Sequence, residues 1–261
     1  MLNSKQITNF TGLKVFNKHS LIEYCQHELL DSFFKQKGSE NFSFVGGTAI
    51  RIVYGGQRFS EDLDFDAQTT TNFDELLTKV VKDMENKGFL IEFRLIHKDA
   101  YHCHLKFPRI LHELGLSGHK EEKLLIKVDA SKTSNFAAID YLLNNYGVFR
   151  SINVTPPDII LSKKLLTIIQ RKRPKGRDLY DVIWLWGMTQ PNKDYLKKVT
   201  GKSLPRILEN IMTYTSKMDL KAMQQEVKLF LVDPDQVSRM LLFPQFIKQK
   251  IKIGPELIFP R

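Results

Sequence analysis

Apolar residues recur at helical spacing through Leu21, Ile22, Leu29, Leu30, Phe33 and Phe34, and this run predicts an amphipathic helix ending at Gly38. Ser20 and Glu23 have the spacing of a capping box that would open it, leaving residues 1–19 as an irregular arm. The period then changes. Asn41–Val45 reads as a short apolar strand, Gly46-Gly47 as a turn, and Thr48 to about Tyr54 as a helix closed by Gly55-Gly56. In Asp62-Leu63-Asp64-Phe65-Asp66 polar and apolar residues alternate, as expected of a strand with one face in a core. Asn72 with Glu75 caps a further helix that ends at Gly88. Phe89–Ile96, Tyr101–Phe107 and Lys123–Ala130 read as strands; in the last, Leu124, Ile126 and Val128 take one side and Lys127 and Asp129 the other. Thr155-Pro156-Pro157-Asp158 is a helix start, and from there to Ile247 the pattern stays helical. The expectation is an α/β (α+β) chain, with a mixed sheet over residues 1–150 and an all-helical domain over 151–261.

Composition adds one thing to this picture. With 42% apolar and 26% charged residues over 261 positions the chain is ordinary for a soluble protein, but a net charge of +10 and a pI near 9.4 are not. Such an excess favours a polyanionic partner: nucleic acid, an acidic protein or an anionic membrane surface. Cys25 and Cys103 are the only cysteines, so neither a disulfide framework nor a CxxC metal pattern is available. The first residues lack the apolar core of a signal peptide and no apolar run reaches transmembrane length, which together predict a reducing, cytoplasmic location away from membranes.

The candidate chemistry is concentrated in three places. On a strand, Asp62, Asp64 and Asp66 share a face about 6–7 Å apart at Cα, a spacing from which carboxylates can converge on divalent cations. A calcium loop is excluded by Ala67 and Phe73 at its glycine and glutamate positions, and Asp66 lies near the strand's end. Upstream, Gly46-Gly47 would let backbone N–H groups approach a phosphate, with Thr48 beginning the helix. Arg58 and Ser60, in the loop before the acidic strand, join Gly46, Gly47 and Thr48 as candidate nucleotide-binding residues. Asp129, carried by a later strand with the same alternation, is a candidate third carboxylate that would bind metal or accept the proton of an attacking hydroxyl. Lys163, Lys164, Thr167, Gln170 and Arg171 cluster on one face of the helix over 156–172. The run Arg171-Lys172-Arg173-Pro174-Lys175-Gly176-Arg177 follows it, and then Asp178 and Asp181. This block is either a solvated basic helix end or a phosphate clamp in which an aspartate orients a lysine. His102-Cys103-His104 has no supporting ligand cluster and reads as core or surface histidine rather than zinc site; Trp184 and Trp186 read as core. P-loop, dinucleotide and zincin motifs are absent from the sequence.

Three blocks, GGTAIRIVYGGQRFSEDLDF, IKVDAS and SKKLLTIIQRKRPKGRDLYDV, together resemble the AbiEii/AbiGii abortive-infection toxins of the nucleotidyltransferase superfamily. The resemblance spans about residues 44–183. It implies a nucleotidyltransferase catalytic domain, Mg²⁺, and transfer of a nucleoside monophosphate from an NTP. Gly46 and Gly47 would hold the triphosphate and Thr48 stands where serine is frequent. Asp62 and Asp64 match the metal pair, Asp129 the third acidic position, Lys164 the lysine before a leucine and Asp178 the aspartate of the RD dipeptide. The matching positions make Lys164 both a catalytic and a nucleotide-binding candidate, with Lys163 adjacent. It further implies a toxin opposed by a cognate antitoxin protein. Its acceptor would be RNA, in particular the tRNA 3′ end, so that translation stops. The alternatives are the same chemistry on a protein or small-molecule acceptor, and a non-catalytic RNA- or antitoxin-binding module.

Overall fold

The computed structural model describes residues 1–11, 15–68, 72–97 and 101–253. They form two compact units: residues 1–49 with 60–155, and residues 50–59 with the chain from Pro156 onward. The short segment 50–59, flanked on both sides by the first unit in sequence, thus belongs to the second.

The first unit is built on a mixed seven-stranded sheet. In chain order it contains α1 (Ser4–Thr11), α2 (Lys18–Phe34), β1 (Phe42–Val45), α3 (Gly46–Ile52, whose last turn enters the second unit), β2 (Leu63–Ala67), α4 (Phe73–Asn86) and β3 (Glu92–His97). It continues through β4 (Tyr101–Phe107), the single turn α5 (Ile110–Glu113), β5 (Leu124–Lys132), β6 (Ile139–Asn145) and β7 (Val148–Val154). The strand order is β3-β4-β5-β2-β1-β7-β6; β5·β2 and β1·β7 are parallel and the other neighbours antiparallel. One face of the sheet carries the apolar half of each alternation, with Phe44 opposite Phe65, Leu63 opposite Val128, and Val128 opposite Cys103. Phe33 of α2 stacks on Phe65 with ring centroids 4.3 Å apart and meets Phe42 edge-on at 5.3 Å. The other face of β2, β5 and β4 is polar apart from Leu125, which is exposed near the start of β5.

The helix over 21–34 begins earlier than the sequence pattern suggests. Its cap is Asn17, whose side chain accepts from the Ser20 N–H while Ser20 Oγ accepts from the Asn17 N–H, both at 3.0 Å. Ser20 therefore stands at the third position of the box rather than at the cap, and Glu23 turns inward to accept from the Tyr146 hydroxyl at 3.2 Å. The expected arm over 1–19 contains helix α1, capped by a reciprocal Asn3–Gln6 pair and anchored by the buried Ile7. The strand expected from Phe89 starts at Glu92, because Phe89 N–H returns to the Met84 carbonyl as part of the α4 exit. The hairpin β6–β7, not anticipated from sequence, turns on Tyr146-Gly147, both with positive φ, a turn type whose twist suits adjacent antiparallel strands.

The second unit is helical: α6 (Pro157–Gln170), α7 (Gly176–Trp186), α8 (Lys193–Thr200), α9 (Leu204–Thr215), α10 (Leu220–Lys228), a 3-10 segment over Pro234–Leu242 and α11 (Phe243–Ile253). Its core is Leu161, Leu165, Leu179, Val182, Leu185, Ile207, Ile211 and Phe243, all buried. Gly176 is required at the start of α7, since a Cβ there would lie 2.6 Å from the Met223 carbonyl oxygen. Segment 50–59 is stitched into this unit by Phe59 N–H to the Phe230 carbonyl (2.7 Å) and Val232 N–H to the Gln57 carbonyl (3.0 Å). The charge divides unevenly. The helical unit, residues 50–59 and 156–261, carries 22 Lys/Arg against 10 Asp/Glu, and the sheet unit 17 against 19.

Candidate active site

In the sheet unit the decisive feature is a row of polar side chains across three strands. Asp64 of β2 stands opposite Asp129 of β5 in the parallel pair, and Asp129 stands opposite His102 of β4 in the antiparallel one. Because side chains alternate, all three project from the face that the aromatic core does not use. Asp64 also stands opposite Val45, the residue before the glycine turn. Gly46 has φ +88°, and a Cβ built there would collide with Asp64 Oδ2. Only glycine brings the backbone this close to that carboxylate. Asp62 precedes β2 and is partly exposed; its carbonyl accepts a short hydrogen bond from the Thr48 hydroxyl, which clamps the glycine turn to the start of the acidic strand. Asp66 continues the face but is buried opposite Ser43.

In the helical unit a second, buried network forms around Asp181. Its two oxygens accept from Arg58 Nε and Nη2, each at 2.9 Å, in the forked geometry that suits guanidinium and carboxylate. Lys164 Nζ lies 2.9 Å from Asp181 Oδ2 and 3.1 Å from Asp178 Oδ1, and Arg171 Nη1 donates to Asp178 Oδ2 at 2.6 Å. Burial alone would push the Asp181 carboxyl up, yet Arg58 and then Lys164 hold it down at about 2. Lys164 is affected conversely: burial lowers its pKa, while Asp181 and Asp178 more than offset this and hold it above its ordinary value. For Arg58 too, burial lowers and the Asp181 carboxylate raises, with a net upward shift. Asp181 thus holds the charges of Arg58 and Lys164 in place, and they hold its own.

The sequence model of the nucleotidyl transferase AbiEii toxins of type IV toxin–antitoxin systems matches residues 28–240. The chain belongs to the AbiEii family. Among solved structures, JHP933 from Helicobacter pylori superposes with a TM-score of 0.54 at 17% identity, over 97% of this chain and 96% of its own. A candidate nucleotidyltransferase from H. pylori superposes with a TM-score of 0.56 at 17% identity, over 90% and 95%. These likenesses establish the nucleotidyltransferase-like α/β fold. A comparison with curated proteins returns no match.

Against the AbiEii pattern, the candidate residues fall into two sets. Gly46, Gly47, Thr48, Ser60, Asp62, Asp64 and Asp129 lie in the sheet unit; Arg58, Lys164, Asp178 and Asp181 lie in the helical unit. Thr48 is buried with its hydroxyl committed to Asp62, so it holds the turn. Ser60 offers its carbonyl to Gln26 Nε2 at 2.9 Å. Arg58, a nucleotide-binding candidate in sequence, is 5% exposed and spends its guanidinium on Asp181 and on the Phe59 carbonyl. Among the described residues no three His, Cys, Asp or Glu side chains gather closely enough to hold a metal ion by themselves. Paired Asp64 and Asp129 with Asp62 nearby still suit Mg²⁺, which ordinarily takes one or two carboxylates and completes its shell with substrate phosphates and water. His102 is the residue that sequence reasoning missed: its alternation with buried Cys103 put it on the carboxylate face, but only the β4·β5 register pairs it with Asp129. No described helix is long and apolar enough to cross a membrane, and both cysteines are free and buried.

Proposed function

We propose that this AbiEii protein is a cytoplasmic, Mg²⁺-dependent nucleotidyltransferase toxin that transfers a nucleoside monophosphate from an NTP to RNA, at the tRNA 3′ end. The observation that carries the reading is the Asp64–Asp129 pair, side by side on adjacent strands beside a glycine whose positive φ and close approach to Asp64 disfavour any side chain. Gly46 and Gly47 offer backbone N–H groups to the triphosphate; with α3 only seven residues long, local N–H groups rather than a macrodipole do this. Asp64 and Asp129 would hold the cation together with substrate phosphates and water, Asp62 being the further ligand that the AbiEii resemblance implies; when bound, the cation neutralises the pyrophosphate leaving group and polarises the α-phosphate. Asp129 accepts the proton of the acceptor hydroxyl as its oxygen bonds to the α-phosphorus and the bond to pyrophosphate breaks. For Lys164, in the helical unit, the AbiEii resemblance implies positive charge for the phosphates, with Asp178 and Asp181 fixing its ammonium.

The acceptor is read from charge. The entire positive excess of the chain lies in the helical unit, where Lys172 and Arg173 extend exposed from the end of α6. That distribution favours a polyanion over a small-molecule or protein acceptor. Family membership supplies the antitoxin counterpart. The test is incubation with total tRNA, Mg²⁺ and each α-³²P-labelled NTP, followed by a denaturing gel. Label is expected on tRNA with wild-type protein and not with Asp64→Ala, whose melting temperature should stay within a few degrees. Label on a protein band, or full activity in Asp64→Ala, would overturn the reading.

A further inference from the structure

We propose that His102 is a positioning residue for the transfer reaction: its ring N–H grips one oxygen of Asp129 and turns the other toward the acceptor hydroxyl. The inference rests on the role given to Asp129 above. His102 Nδ1 lies 2.8 Å from Asp129 Oδ1. The two residues are directly opposite in the β4·β5 register, and Asp129 is in turn opposite Asp64, so His102 ends the carboxylate row. An ionised carboxylate has no proton to give, so the contact requires the proton on Nδ1. The opposite face of β4 is core, with Cys103 and Leu105 buried, whereas the His102 and Asp129 side chains remain 37% and 31% exposed. The bond is therefore made where water is available to both partners, and burial does not demand it. What it adds is orientation. An aspartate on a partly exposed strand has a loosely defined χ2, and a fixed donor on Oδ1 selects one rotation and leaves Oδ2 for chemistry. Such outer partners of reacting carboxylates typically matter by about 10–100-fold in activity.

Two variants separate positioning from mere cross-strand packing. His102→Leu fills the space but cannot donate; His102→Asn places an amide N–H close to where Nδ1 stands. In the tRNA-labelling assay kcat should fall about tenfold or more in His102→Leu, with the NTP KM changed less than about twofold, and should recover most of the loss in His102→Asn. Adding His102→Leu to Asp129→Ala should cost nothing further, since the two act as one unit. Imidazole ¹⁵N spectra should show Nδ1 protonated in the wild type and the preference lost in Asp129→Ala. An unchanged kcat in His102→Leu, equal losses in both variants, or an Nε2-protonated ring in the wild type would overturn the proposal. Absence of any transfer by the wild type would instead remove the proposed function. The imidazole spectra would then still decide whether His102 holds Asp129.

Discussion

Replacing Asp181 by alanine should destabilise the helical unit far more than any surface ion pair could. Asp181 is 2% exposed and accepts three charge-assisted hydrogen bonds, two from Arg58 and one from Lys164. Bonds of this kind are worth about 1.5–3 kcal/mol each, but Lys164 keeps Asp178 at 3.1 Å, so one of the three losses is softened. Arg58 has no such reserve: Nε and Nη2 would be left buried and unpaired in a side chain 5% exposed. Removing one partner of a buried pair costs about 3–5 kcal/mol, against a total stability of about 5–15 kcal/mol for a typical domain. For a unit of this size that corresponds to a drop of roughly 10–20 °C in melting temperature. The assay is convenient because Trp184 and Trp186, the only tryptophans, both lie in α7 beside Asp178 and Asp181, so intrinsic fluorescence reports this unit selectively. Arg58→Met with Asp181→Leu, which removes both charges and leaves Lys164 on Asp178, should cost less than Asp181→Ala alone. A melting temperature for Asp181→Ala within about 2 °C of the wild type would refute the argument that this pair anchors segment 50–59.

Further outcomes follow from the same geometry. Gly46→Ala forces an L-residue to φ +88° and drives its Cβ onto Asp64 Oδ2; transfer should fall by about 100-fold or more, and the left-handed conformation alone should cost about 1–2 kcal/mol, both read from labelling and thermal melts. Asp181 is depressed from an ordinary 3.8 to about 2, so its contribution is complete above pH 4 and is lost as the pH falls through 2. The loss, on the order of 2 kcal/mol, should appear as an acid limb in tryptophan-detected denaturant midpoints that is missing in Asp181→Asn. RNA binding should weaken steeply with salt, and the exposed pair Lys172→Ala/Arg173→Ala should reduce the slope of log K against log[salt] by about 1.5 without changing the melt. An unaltered slope would place the RNA elsewhere.

Where alternation was strict, the sequence was readable: Leu63 to Asp66 and Leu124 to Asp129 have the faces that their polarity pattern demands, because one residue of slip would bury carboxylates among Phe33, Phe44 and Phe65. Asp62, expected on the same strand face, lies before the strand begins. Partnership across strands was not readable. His102 needed the β4·β5 register, and β6–β7 was obscured because Ile139, Leu142 and Phe149 are exposed, which blurs the alternation. Lys164 was separated from Lys163 only by the matching pattern in sequence; in the folded unit it is Lys164 that sits between Asp178 and Asp181.

The long gap between Gly47 and Asp62 has a physical reason. After the glycine turn the chain leaves the sheet unit along α3, and residues 50–59 are held by the helical unit before the chain returns as β2. Gly56 closes that excursion with its N–H on the Ile50 carbonyl at 2.8 Å, and a Cβ there would collide with the Ile50 side chain at 2.9 Å. Arg58 is the point of attachment, and its acceptor is the second aspartate of the RDLYD stretch. Two blocks far apart in sequence, one ending in the carboxylate strand and one beginning at Ser162, therefore meet in a single buried ion pair, Arg58 with Asp181. A change at Asp181 acts on segment 50–59, which it holds within the helical unit through Arg58.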